Sequence, residues 1–466
     1  MGCCNRTCGL IALAAVGAVV AVVGALLIPL GNWVIESTVV KESVIEPGTT
    51  AYDNWVSTGA AVYRQFWFFD VQNAADVVKN GSAPEVVQRG PYTYKTRFLP
   101  KEDITRNSNF TISFVLPPGA IFEPSMSVGP EEDNITSLNL VVAGAYGTLP
   151  HFLVEILINA SKASLFHRRT VKELLWGYYD PILRGTVGLF VTNNDTVDEL
   201  YNVFTGKDDI SKVAMIDRWR GERNLTFWDD PYCDMINGTD GSSFAPFVDK
   251  NVPLYFFSSD ICRSVSASFK ESLDLRGIQV YRYSLLESTL ASPNVNPDNA
   301  CFCKDQLTTK NCTLAGVLDI RTCQNGKPVY ISLPHFLYGS KSLQDNIVGL
   351  NPVEEEHFTY LDVEPTTGFT LRFAKRIQVN MMYGPSKVIK ILKKVKNYTI
   401  VPLVWLNETA ELDEPTAQMF KTELFSRIEL LDVIQKTLIG VGVAMFGVSL
   451  IMLLICRRRL RGHKLA

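Results

Sequence analysis

The chain carries no nucleophile elbow, no phosphate-binding glycine loop and no His-Glu-x-x-His pair, and its five histidines never fall at metal-finger spacing. These absences remove the sequence grounds for the common hydrolases, nucleotide enzymes and zinc modules, so neither catalysis nor a cofactor is expected. Internal repeats and low-complexity tracts are also lacking, and 47% apolar content is incompatible with wholesale disorder. A net charge of −3 gives no overall polyelectrolyte character, and no nucleic-acid partner is expected. Cysteine is scarce, with ten in 466 residues. The absence that organises everything else is of charge: "GLIALAAVGAVVAVVGALLIPL" (9–30) and "TLIGVGVAMFGVSLIMLLI" (437–455) contain no charged residue, and each is long enough to cross a bilayer as a helix.

A cleaved signal has an apolar core of about 7–15 residues and a small-x-small cleavage site. The first stretch is longer and ends in Pro29, Gly31 and Trp33, which reads as an uncleaved anchor with Trp33 at the interface. "RRRLRGHK" follows the second stretch at once, so the positive-inside bias puts the C-terminus in the cytosol and, through two spans, the N-terminus too. The sequence therefore divides into a cytosolic N-terminus (1–8), a span (9–30), a lumenal or extracellular domain (31–436), a second span (437–455) and a cytosolic tail (456–466). Glycosylation sequons test this orientation independently. Asn80, Asn109, Asn134, Asn159, Asn194, Asn224, Asn237, Asn311, Asn397 and Asn407 all begin sequons between the spans, while Asn5 lies on the cytosolic side and is expected to stay bare.

That compartment sorts the cysteines. Cys3, Cys4, Cys8 and Cys456 sit at the cytosolic ends, where juxtamembrane thiols are typical palmitoylation acceptors. Cys233, Cys262, Cys301, Cys303, Cys312 and Cys323 lie outside. An even number in an oxidising compartment predicts three disulfides, for which six cysteines allow fifteen connectivities. On a strand, Cys301 and Cys303 would lie about 6.6 Å apart at the limit of bridging, and excluding that pair leaves twelve. A zinc site is the weaker alternative, because Asn311-Cys312-Thr313 puts a glycan acceptor beside a would-be ligand.

Between the spans, alternation dominates. "GFTLRFAKRIQVN" (368–380), "YRQFWFFDV" and "KPVYISLPHFL" read as strands, and "EPGTT", "RGPY", "LPPGA" and "NGTDG" as turns. In 137–185 the period changes: Leu153, Ile156, Leu157 and Ala160 recur at helical spacing, predicting short helices. The same segment gathers Lys162, His167, Arg168, Arg169 and Lys172 beside Leu165 and Phe166, a mixture suited to anionic amphiphiles. A second basic run, "KVIKILKKVK" (387–396), reads as the wet side of a secondary-structure element. "NPVEEEHFTYLDVE" (351–364) reads as solvated acids in a turn rather than as a metal site, and no metal is expected. Gly17-x-x-x-Ala21 and Gly440-x-Gly442 lie within the spans, where small residues let helices pack.

Seven blocks together form a recognisable pattern: "RGPYTY", "CDMINGTDGSSFAPF", "SSDICRS", "PDNACFCKD", "NCTLAGVLDI", "VYISLPHFLY" and "EEEHFTYLDVEPTTGFTLRFAKRIQVN". In this order, between two terminal spans, they resemble the class B scavenger receptors, and within them the fatty-acid-transporting members, over essentially the whole chain. The resemblance implies an α+β fold: a large irregular antiparallel β-barrel crossed by a lipid-lined tunnel, with a short helical bundle at the membrane-distal apex (137–185) and a disulfide region (233–323). It implies the pairs Cys233–Cys301, Cys262–Cys323 and Cys303–Cys312.

It also implies function: a cell-surface receptor that binds long-chain fatty acids, oxidised low-density lipoprotein and anionic phospholipids and facilitates lipid uptake. Plasma-membrane residence follows, with lipid rafts and Golgi transit. Lys162, His167, Arg168 and Arg169 become the expected ligand-binding residues, although Ala160 replaces one lysine of the family's usual pair. Thrombospondin-type repeats are a further family partner. Here "KEDITRNSNFTISF" sets Arg106, Asn107, Ser108 and Asn109 where relatives are acidic, which argues against retention of that partner. Two alternatives are a lysosomal, enzyme-carrying member of the family and a two-span ion-channel subunit. The tail "RRRLRGHKLA" lacks the acidic dileucine signal of the former, and spans with no charge and, inside the Thr437 boundary, only the Ser449 hydroxyl lack the polar lining expected of the latter.

Overall fold

The computed structural model describes residues 2–57, 60–191, 198–305, 307–310, 312–422 and 426–462. It divides into a terminal unit, Met1–Glu42 with Asp413–Ala466, and a central unit, Ser43–Leu412.

In the terminal unit two long helices, Gly2–Ser43 and Ser426–Gly462, contain the membrane-spanning candidates Thr7–Ser43 and Ile428–Arg458. Both helices outrun the uncharged stretches 9–30 and 437–455, and the first continues through Pro29 instead of ending there. A proline inside a helix removes one backbone donor, and such a gap is tolerated where a neighbouring helix supplies partners. The carbonyl that loses its partner at Pro29 is that of Ala25; two residues on, Gln435 of the second helix donates its side-chain amide to the Leu27 carbonyl at 2.8 Å. The two helices meet on their small residues. A Cβ on Gly17 would stand 2.7 Å from the Phe446 nitrogen, and one on Gly442 would stand 2.4 Å from the Ala21 nitrogen. Gly440 has nothing within 4 Å of its would-be Cβ and takes no part.

The central unit is built on an 11-stranded antiparallel sheet. Its centre is formed by Thr370–Tyr383, Thr399–Glu411, Val62–Val71 and Val86–Thr96, adjacent in that order. The outermost strands of the main path are Leu254–Ser258 and Ala120–Phe122. They do not pair with each other among the described residues, so the expected barrel is an open sheet. Strand count and alternation set a sheet's faces, whereas closure depends on the stagger between its two ends.

Strand Thr399–Glu411 is buried along most of its length because both of its faces are covered. Successive side chains alternate between faces: Val404 and Leu406 join a cluster with Phe66, Phe68, Tyr92 and Trp228, while Leu403 and Trp405 join another with Phe69, Met381, Tyr383 and Val154. The stretch 327–337 is a strand only over Val329–Ser332 and then turns through Pro334–Phe336, where His335 and Phe336 adopt left-handed backbone (φ 54° and 55°).

That turn carries His335 into a buried polar cluster. Its ring stacks on His357 with centroids 4.6 Å apart. Backbone N–H groups of Asn351 and Val353 donate to Nδ1 of His335 and His357, at 3.0 and 2.9 Å. Nδ1 therefore carries no proton in either ring, and Nε2 of His335 donates to Gln88 Oε1 at 2.6 Å. Burial pushes both imidazoles down, to about 3 and about 4. Nearby, Glu408 is buried among Arg64 (2.5 Å), Arg97 (3.1 Å) and Lys375 (3.6 Å). Burial alone would raise its carboxyl, but the three cations outweigh it and hold the group well below the ordinary range.

The structure joins Cys233 to Cys301, Cys262 to Cys323 and Cys303 to Cys312, with Cα separations of 6.1, 6.5 and 5.8 Å. Cys301 lies in the 3-10 turn Pro297–Phe302 rather than on a strand. Asp230 is close to the Cys233 and Cys301 sulfurs, but a disulfide sulfur is not a thiolate ligand. The acids of 354–356 form one exposed helical turn with His357, and Glu354 is taken by Lys270 at 3.0 Å.

Candidate ligand-capture site

Segment 137–185 contains three helices, Leu140–Thr148, His151–Ser161 and Val171–Trp176. Asn139 starts the first by accepting from the Val141 and Val142 N–H groups, and Thr170 and Glu173 form a reciprocal capping box on the third. The residues between them are not helical. Phe166–Thr170 is a strand paired with Asn134–Leu138, and Tyr178–Asp180 pairs with Gly185–Val187. His167, Arg168 and Arg169 therefore sit on a strand within the segment where short helices are expected.

Helix His151–Ser161 buries Val154 and Ile158. Its other apolar stripe faces outward: Phe152 is 57% exposed, Leu153 38% and Ile156 58%, with Leu149 exposed just before it. The residues whose spacing predicts the helix, Leu153, Ile156, Leu157 and Ala160, are thus exposed or half-buried, because the helix is apolar on both sides and tertiary contacts choose which side is covered. Asn159, one of the sequons, is exposed one turn beyond Ile156 on the same stripe and donates to Glu155 at 2.9 Å. Lys162 ends the helix in left-handed backbone (φ 55°), leaving its side chain exposed.

The four expected ligand-binding side chains are not equivalent. Lys162 and Arg168 are exposed. Arg169 is engaged, lying 3.4 Å from Glu173 and 4.3 Å over the Tyr178 ring. His167 has its Nε2 buried and packs edge-on against Tyr178 at 5.5 Å, and burial pushes it down to about 4, so it is neutral at physiological pH. Lys172 lies 3.9 Å from Glu131. The cationic part of the site thus reduces to Lys162 and Arg168, beside an apolar stripe headed by Phe152. An exposed phenylalanine inside "PHFLVEIL" has no sequence signature that separates it from a core residue.

Of the sequon asparagines, Asn80, Asn109, Asn134, Asn159, Asn224 and Asn397 are exposed and Asn237 is half-buried. Asn407 lies on a central strand with its amide donating to Gln65 at 3.0 Å. Asn194, Asn311 and the side chains of Cys3, Cys4 and Asn5 lie outside the described residues. Cys8 and Cys456 are free thiols.

The sequence profile of the CD36 family matches residues 15–453, nearly the whole chain. The chain belongs to that family, the class B scavenger receptors. Among its relatives, scavenger receptor class B member 1 of Cricetulus griseus is 32% identical over 451 residues, covering 93% of this chain and 87% of the relative. Lysosome membrane protein 2 of Homo sapiens is 36% identical over 405 residues, covering 83% of each. The relatives include both a scavenger receptor and a lysosome membrane protein.

Proposed function

We propose that this CD36-family member is a cell-surface scavenger receptor that captures long-chain fatty acids, oxidised lipoproteins and anionic phospholipids on helix His151–Ser161 and the strand after it, and passes lipid inward by binding rather than by catalysis. The observation that carries this reading is the outward apolar stripe of Phe152, Leu153 and Ile156 on a helix that ends in exposed Lys162 and is followed by exposed Arg168. An amphiphilic anion needs both surfaces: apolar area for its chain, at about 0.8 kcal/mol per methylene buried, and a cation for its headgroup. An exposed ion pair is worth only about 0–1 kcal/mol, so a single fatty acid gains little from Lys162. A particle with many anionic groups multiplies each weak contact. We infer that both termini are cytosolic and that Cys3, Cys4, Cys8 and Cys456 are acylation sites. The acidic features expected for thrombospondin-type repeats are replaced around Arg106, and that partner is not part of the reading.

The test compares oxidised-lipoprotein binding and labelled-oleate uptake in cells with and without the chain, and with Phe152→Ser combined with Lys162→Glu and Arg168→Glu. The triple variant is expected to reach the surface with its disulfides intact and to lose particle binding. Normal particle binding by a surface-exposed triple variant would remove the site from this role. Exclusive residence in lysosomes would instead favour a role like that of a lysosomal member of the family.

A further inference from the structure

The basic run 387–396 plays no part in the capture site. Its apolar residues turn inward: Ile389 is 0% exposed, Leu392 1% and Val395 8%. Its five lysines, Lys387, Lys390, Lys393, Lys394 and Lys396, are all exposed on one compact stretch built around the 3-10 turn Lys390–Leu392. Lys390 is 3.4 Å from Glu155, whose carboxylate also accepts the Lys390 backbone N–H. Among the described residues, no carboxylate pairs with the other four. Helix Ala74–Asn80 adds Lys79 to the same surface, because Gly81 packs so closely that a Cβ there would meet the Lys394 carbonyl at 2.2 Å. Asp76 is the acid on that helix. Lys396, at the end of the run, opens onto a cavity of about 270 Å³ together with Lys310, Ser342, Asn346 and Tyr398.

We propose that this surface binds a sulfated polysaccharide, with the lysine run tracking the sulfates and the adjoining cavity receiving a sugar. Clustered lysines within eight to ten residues are the electrostatic footprint of polyanion binding. Hydrogen-bond donors from Lys310, Ser342 and Asn346 in the cavity suit a hydroxylated, charged ring. A membrane-docking element would instead expose apolar side chains for insertion. Here they are buried, and Val388 is the single large apolar side chain of the run left exposed. Outside the cavity, whose wall also includes Leu307, Leu314, Leu343 and Ile400, the lysine run therefore offers ammonium groups with little hydrocarbon beside them, which matches a sulfated chain better than a lipid bilayer.

The experiment uses the purified, glycosylated full-length chain in detergent, because the sequon residues Asn80 and Asn397 border the patch. Binding to immobilised heparin is measured against salt, with chemically desulfated heparin and phosphatidylcholine–phosphatidylserine vesicles in parallel. Retention on heparin at about 0.15 M salt and none on the desulfated form is expected. Lys387→Ser, Lys393→Ser, Lys394→Ser and Lys396→Ser together should weaken heparin binding roughly tenfold to a hundredfold and lower the salt slope by about one for each lysine that engages a sulfate. The Lys162→Glu, Arg168→Glu variant should bind heparin normally, so failure of the capture reading and failure of this one are separable. Absence of heparin binding by the full chain, equal binding by the quadruple variant, or binding to vesicles but not to heparin would each overturn the proposal.

Discussion

Acidification should weaken the central unit through the stacked pair His335 and His357. Both rings are neutral in the folded protein, with burial pushing them to about 3 and about 4, whereas an unfolded histidine titrates near 6.5. The unfolded chain thus binds more protons below about pH 6.5, and stability falls as pH falls through that value toward the folded pKa. At about pH 5 the difference from the unfolded value is about 1.5 units, or about 2 kcal/mol for each ring at 1.36 kcal/mol per unit. Geometry gives the same sign. Nδ1 of each ring accepts a backbone N–H, so a second proton would face a donor and force residues 351–353 away. The cation nearest His357 is Arg376, which further disfavours charge there, and Glu408 adds no opposing slope because its depressed carboxyl loses stability only below about 4.5. Unfolding of the full chain in detergent, followed between about pH 7.5 and about pH 5, should show this loss, and His357→Gln should flatten the profile by about 2 kcal/mol even if it lowers stability at neutral pH. An unchanged pH profile in a folded His357→Gln variant would refute the reasoning.

Glu408→Gln should destabilise by about 1–3 kcal/mol, the loss of charge-assisted hydrogen bonds from Arg64 and Arg97 to a buried carboxylate, while breaking the exposed Lys207–Glu46 pair should cost about 0–1 kcal/mol; thermal unfolding of the two variants checks the contrast. Gly442→Leu should separate the two terminal helices, because a side chain there meets the Ala21 backbone at 2.4 Å, and a longer distance between spin labels on Cys8 and Cys456, in a chain with Cys3 and Cys4 replaced by Ser, would report it. Asn159→Gln should raise particle binding if the site is glycosylated, since a glycan there stands over the Phe152 and Ile156 stripe; equal binding with and without that glycan would show that the stripe is not shielded.

The long uncharged stretches and the clustered outer cysteines were legible in sequence because each depends on local composition or compartment. The seven motif blocks made the family legible, and with it the disulfide pairing. Features set by distant partners were not. Phe166–Thr170 is a strand because Asn134–Leu138 lies beside it, while its own residues follow a helical pattern and precede a genuine helix cap at Thr170. Helix His151–Ser161 is apolar on two stripes, so its period marks a helix without choosing between Val154 with Ile158 and Phe152 with Ile156 as the buried side. Likewise "KPVYISLPHFL" alternates up to Ser332, but the left-handed turn at His335 is held by Gln378, Gln88 and Asn351, none of them near in sequence. Separation of Lys162 and Arg168 from Arg169 and His167 required Glu173 and Tyr178 in place.

The strand Val62–Val71 lies between Val86–Thr96 and Thr399–Glu411, with Phe66 opposite Leu406. An early hairpin therefore waits for a partner made roughly 340 residues later, which at about 5–20 residues per second is on the order of 20–70 s of translation. During that interval the growing chain displays an unpaired, strongly apolar strand edge, the kind of surface that recruits chaperones and seeds aggregation. A premature stop anywhere before residue 399 would deprive the centre of the sheet of its late strand, so truncated products should be retained and degraded as wholes rather than secreted as stable fragments.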